Sequence, residues 1–148
     1  MRHSKILPII AVAVTQSASV IAAETAHLVA PLDDQQTIDG CSWSASAAGV
    51  GDGFVFLAEY DESRIVMNIG GSDVQLKLVE AKGQLKKVGD VLNRTFKAGD
   101  ITVDARYTAT WVCTEGSESC ETTKFAVTFR VSKGGQSETV QATGHVGC

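Results

Sequence analysis

The stretch "ITVDARYTATWVC", residues 101 to 113, alternates apolar and polar side chains along its whole length. In an extended chain Ile101, Val103, Ala105, Tyr107, Ala109, Trp111 and Cys113 share one face. Thr102, Asp104, Arg106, Thr108 and Thr110 take the other. A helix repeats every 3.6 residues and would scatter both sets around its axis, whereas a strand separates them cleanly. A second run, "TKFAVTFRVSK", puts Phe125, Val127, Phe129 and Val131 opposite Lys124, Thr128 and Arg130. Two long half-buried strands around a short polar loop predict a β-hairpin, with Cys113 and Cys120 flanking its tip.

The rest of the chain from Ile38 has the same texture. "CSWSAS" sets Cys41, Trp43 and Ala45 against three serines. "FVFLAEY", "RIVMNI", "VQLKLVE", "VLNRTFK" and "SETVQATGHV" are short strand-like runs separated by turn residues. Gly70 and Gly71 suit a two-residue hairpin turn, which needs positive φ. "AKGQLKKVGD", residues 81–90, has few apolar residues and is expected to be a long loop. "AGVGDG", residues 48–53, lacks the lysine and the helix of a phosphate loop and reads as a flexible turn. The expected fold is all-β: an antiparallel meander of about eight strands over residues 38–148, closed as a small barrel or flattened sandwich. Closure spares such a meander two exposed edges. Residues 24–37 show no periodicity and are expected to form a flexible N-terminal arm.

The beginning of the chain reads as an address. Arg2 and Lys5 precede an apolar run from Ile6 to Val14, and small residues follow to Ala22 and Ala23. This is the layout of a cleavable signal peptide over residues 1–23, and it predicts a periplasmic or secreted protein with no membrane span after cleavage. Beyond it stand 11 basic and 17 acidic residues, a net charge of −6. That balance disfavours nucleic acid and favours a protein partner that is cationic. Nothing in the pattern sets an oligomeric state.

Four cysteines in an exported chain read as two disulfides, for which three pairings exist. Cys113 and Cys120 bracket one hairpin tip. Cys41 opens the first strand and Cys148 ends the last, so closing the sheet would bring them together. The expected pairs are Cys113–Cys120 and Cys41–Cys148. The alternatives for "CTEGSESC" fare worse. Zinc sites favour closely spaced Cys and His sets, and this chain has no Cys-x-x-Cys. Redox thiols favour electropositive surroundings, whereas Glu115, Glu118 and Glu121 crowd this loop. No catalytic, metal or cofactor site is expected, and the reading is of a protein that is not an enzyme. His27 and His145, the histidines beyond the leader, offer no motif for a nucleophile's base. Trp43, Trp111, Tyr107, Phe125 and Phe129 fall on apolar strand faces and are expected in the core.

A clamped loop is preorganised and loses less entropy on binding. Glu115, Gly116 and Glu118 are therefore the candidate binding residues. The leader, the strands from Cys41 to Cys148 and "FVFLAEYDESRIVMNIGGSDVQLKL" together resemble the small exported barrels that inhibit lysozymes in the bacterial periplasm. That resemblance implies a non-catalytic inhibitor acting through exposed loops. The Ser-Gly-x-x-Tyr inhibitory loop motif of the c-type inhibitors is absent, so no inhibitory residue carries over. The other expectations are a carrier of a small apolar ligand within the barrel and an envelope-associated structural module.

Overall fold

The computed structural model describes residues 26–36 and 38–148; the leader expected over residues 1–23 lies outside them. Among the described residues nine strands run in chain order: β1 (Val29–Ala30), β2 (Ser42–Ser46), β3 (Phe54–Glu59), β4 (Ile65–Ile69), β5 (Asp73–Gly83), β6 (Val91–Ala98), β7 (Ile101–Trp111), β8 (Thr122–Lys133) and β9 (Gln136–Gly147). Strands β2 to β9 each pair antiparallel with the next, and β9 returns to pair with β2. The result is a closed eight-stranded up-and-down barrel with β1 as an extra strand. Among the described residues no helix is long and apolar enough to cross a membrane.

The β2–β9 ladder runs from Ser46↔Thr143 to Ser42↔Gly147. Its next step places Cys41 opposite Cys148, and these two are disulfide-bonded, as are Cys113 and Cys120. At the same seam a Cβ on Gly144 would lie 1.9 Å from the Ser44 carbonyl oxygen. The two backbones can approach that closely only because residue 144 is glycine.

The barrel interior is filled by its own side chains. Tyr107, Phe56, Phe96, Phe125, Phe129 and Met67 are all fully buried. Their rings form a connected column: Trp43 meets Tyr107 at 5.5 Å, Tyr107 meets Phe129 at 6.2 Å, and Phe129 meets Phe56 at 5.4 Å between centroids. Phe56 in turn meets Phe96 at 5.6 Å. These edge-on and tilted geometries are the favourable ones for aromatic pairs.

The structure departs from the sequence reading in three places. Residues 26–36, expected within a flexible arm, are docked across one end of the barrel. Strand β1 pairs with Ile69 and Asn68 of β4, beyond Met67 where the β3–β4 pairing ends. Leu28, Val29 and Leu32 are buried there. The amides of Leu28 and Val29 donate to the Glu138 carboxylate, and those of Asp33 and Asp34 to Asp73. Gln35 bonds both backbone groups of Phe54 through its side-chain amide, as a neighbouring strand would. An aperiodic segment can therefore be ordered by polar contacts and three buried apolar residues, which leave no repeat in its sequence.

Secondly, the loop expected over residues 81–90 begins later, since β5 continues to Gly83. Thirdly, Trp111 is not in the core. The β7–β8 register passes from Ala109↔Phe125 to Trp111↔Lys124, so Thr110 is an extra residue on β7. A bulge of one residue exchanges the two faces of a strand. Trp111 is accordingly turned outward and is 44% exposed. The Gly70-Gly71 turn is as expected: both residues have positive φ, and the Ile69 amide donates to the Ser72 carbonyl.

Candidate functional site: the loop end of the barrel

Up-and-down connectivity sorts the loops between two ends. The docked segment 26–36 covers the end formed by the starts of β3, β5 and β9. The other end, the mouth, carries the turn Tyr60–Arg64, the loop Gln84–Asp90, the clamped loop between Cys113 and Cys120, and the Cys41–Cys148 disulfide. Of the four large apolar residues exposed among those described, Tyr60, Val88 and Trp111 lie at this end.

The candidate residues Glu115, Gly116 and Glu118 are all exposed on the clamped loop. The Ser117 amide donates to the Thr114 carbonyl, and Gly116, third in that four-residue turn, has φ +85°. This is the type II turn, which favours glycine at its third position. Gly116 therefore shapes the loop, while Glu115 and Glu118 supply its charge. A second turn follows, in which the Cys120 amide donates to Ser117. The disulfide thus closes two consecutive turns and leaves little slack between them.

The neighbouring loop is fastened separately. The amides of Lys86 and Lys87 donate to Asp90, and Gly89 and Asp90 exchange backbone hydrogen bonds with Ala109 of β7. These bonds hold Val88, one residue before Gly89, at the end of β7 beside the bulge that exposes Trp111.

Between the turn Tyr60–Arg64, the loop Gln84–Asp90 and the start of β8 lies a pocket of about 480 Å³. Trp43, Tyr60, Leu85, Leu92 and Val146 give it apolar walls, and Arg94, Glu62, Lys86 and Glu121 supply charge. Arg94 is placed by parity: β6 directs Leu92 and Phe96 inward, and Arg94 lies between them. Its guanidinium carbon sits 4.1 Å from the Trp43 ring centre, and Nη1 pairs with Glu62 Oε1. Glu62 comes from a turn in which it has φ +62°, the only positive value for a non-glycine among the described residues. Tyr107 is fully buried against Trp43. Burial pushes its hydroxyl far above the ordinary tyrosine range; Arg94 opposes that shift and Glu62 adds to it. Trp43 Nε1, Arg94 Nε and the Tyr107 hydroxyl are buried and find no hydrogen-bond partner among the described residues.

The sequence reading missed Arg94, Glu62 and Tyr60 as members of a site. The signal for Arg94 was present, because a charged residue shares the inward parity of Leu92 and Phe96. No linear pattern brings Glu62 to it. Two other clusters offer less. Ser44 and His145 are cross-strand neighbours on β2 and β9, with the serine oxygen 3.3 and 3.4 Å from the two ring nitrogens. Such a contact selects neither nitrogen as a base, and among the described residues no hydrogen-bonded carboxylate orients the ring. Glu121 lies beside Cys41 and Cys148, but their disulfide leaves no thiolate to ligate a metal. No family model, curated protein or solved structure matches the chain.

Proposed function

We propose that this is an exported, non-catalytic binding protein whose barrel mouth docks a cationic protein, in the manner of a periplasmic lysozyme inhibitor. One observation carries the reading: an acidic, covalently clamped loop stands at the same end of the barrel as exposed Tyr60, Val88 and Trp111. Protein interfaces combine aromatic anchors with a polar rim, and acidic rims steer basic partners. The net charge of −6 beyond the leader acts in the same direction. Two disulfides suit an oxidising compartment outside the cytoplasm.

The carrier reading fares less well, because the aromatic column from Trp43 to Phe96 occupies the barrel interior. An envelope module without a discrete site would have little use for a clamped acidic loop. The test is calorimetric titration of the oxidised protein with c-, g- and i-type lysozymes at two salt concentrations. The expected result is one-to-one binding to one class that weakens as salt rises. Failure with all three classes would remove the lysozyme-inhibitor reading.

A further inference from the structure

We propose that the pocket at the barrel mouth binds a small apolar carboxylic acid, whose carboxylate takes the Nε edge of Arg94 that Glu62 leaves free. The pocket shares Tyr60 with the protein-docking surface, but its ligand is argued from Arg94 and Trp43 and does not depend on that surface. Trp43 Nε1 and Arg94 Nε can only donate, and both are buried with no acceptor among the described residues. A buried donor without a partner costs about 1–3 kcal/mol. Both residues line the mouth pocket, and two such donors beside one pocket call for an oxygen.

Glu62 satisfies Arg94 only in part. Its contact runs from one carboxylate oxygen to Nη1, leaving Nε unbonded. A free carboxylate approaching along the Nε edge can engage Nε and Nη together, the stronger two-point arrangement. The tether explains the shortfall. Glu62 reaches Arg94 from a residue held in the left-handed region, a conformation that costs an L-residue about 1–2 kcal/mol. The walls then define the ligand's body: Trp43, Leu85, Leu92 and Val146 are apolar, and about 480 Å³ accommodates a small organic acid.

The test uses benzoate, 3-phenylpropionate and octanoate, each compared with its neutral amide. Binding is read by calorimetry and by the Trp43 indole N–H resonance, assigned from the spectrum of a Trp111→Phe variant. At least one acid should bind about tenfold more tightly than its amide and shift the Trp43 resonance downfield. Glu62→Gln, which removes the competing charge, should tighten that acid by about tenfold. Arg94→Met should abolish the preference for acid over amide; Arg94→Lys, which keeps a charge, guards against loss through misfolding and should retain part of it. If none of the three acids binds saturably to the Glu62→Gln protein, the proposal fails. Equal affinity for acid and amide, or unchanged binding in a folded Arg94→Met protein, overturns it equally.

Discussion

The Arg94 guanidinium lies 4.1 Å from the centre of the Trp43 ring while pairing with Glu62, at the point where the aromatic column of the barrel meets its mouth. One charged residue therefore joins the core to the loops. A cation over an indole face contributes roughly 0.5–2 kcal/mol according to how dry the contact is. The Arg94 side chain is only 12% exposed, so removing its counter-charge leaves a poorly solvated cation.

That arrangement makes Glu62 informative as a substitution site. Glu62→Ala should destabilise the protein by about 1–3 kcal/mol, below the cost for fully buried pairs because both partners keep some solvent. Glu62→Gly deletes the same carboxylate but tolerates positive φ. It should be more stable than Glu62→Ala by about 1 kcal/mol, measured by urea unfolding. Equal stabilities would mean that the turn relaxes when the pair is lost.

The two tryptophans should behave oppositely. Trp43 is buried and contacts Tyr107, Phe125 and Arg94, so Trp43→Ala should cost about 3–5 kcal/mol. Trp111→Ala should cost less than about 1 kcal/mol, as expected for a side chain turned outward by a bulge. Chemical unfolding of both variants measures the difference. If Trp111 anchors the partner, its variant should also bind at least tenfold more weakly by titration calorimetry, or about 1.4 kcal/mol.

The disulfides should differ in worth because they close loops of different length. In the chain-entropy account, Cys41–Cys148, separated by 107 residues, contributes roughly 4.7 kcal/mol. Cys113–Cys120, separated by 7, contributes roughly 2.5 kcal/mol. Paired Cys→Ser variants compared by urea unfolding should show that order. Loss of the shorter link should weaken partner binding more than stability, since it frees the two turns that carry Glu115 and Glu118.

Acid should release the docked segment before it unfolds the barrel. Burial raises the Glu138 carboxyl, but hydrogen bonds from His27, Val29 and Leu28 outweigh it and hold the group below its usual range. Asp73 follows the same balance, with the amides of Asp34 and Asp33 and the Asn68 side chain prevailing over burial. A carboxyl whose pKa is lowered by folding stabilises the native state at pH values above its unfolded pKa. That contribution disappears as the pH falls below the ordinary carboxylate range, through the lowered folded values. Hydrogen exchange at the Leu28 and Val29 amides should accelerate across that range, ahead of core amides such as Phe129. Glu138→Gln with Asp73→Asn should make that exchange fast already at neutral pH and remove its acid step.

Strand identity was legible wherever period two persisted, as in Ile101–Ala109 and Phe125–Val131. Closure was legible from cysteines at the first and last strands, because a disulfide needs its two strands adjacent. The bulge at Thr110 was not, since it leaves the alternating pattern of the sequence intact and appears only in the register against β8. The docked segment escaped notice because carboxylates from distant strands order it. As for the candidate site, the clamped acidic loop could be read from residues 113–120 alone. The pocket could not, because Arg94 and Glu62 meet only when β6 and the turn before β4 share one end of the barrel.

Docking of a cationic protein at the mouth requires charge from the clamped loop, on which Glu115 and Glu118 stand exposed. The most direct measurement is calorimetric titration of that partner, a lysozyme of the class bound, against the parent protein and its Glu115→Gln/Glu118→Gln double variant at low and high salt. Binding to the double variant should be weakened by about tenfold or more at low salt, with a shallower salt dependence and unchanged stability. Parent-like affinity and salt dependence in the double variant would contradict it.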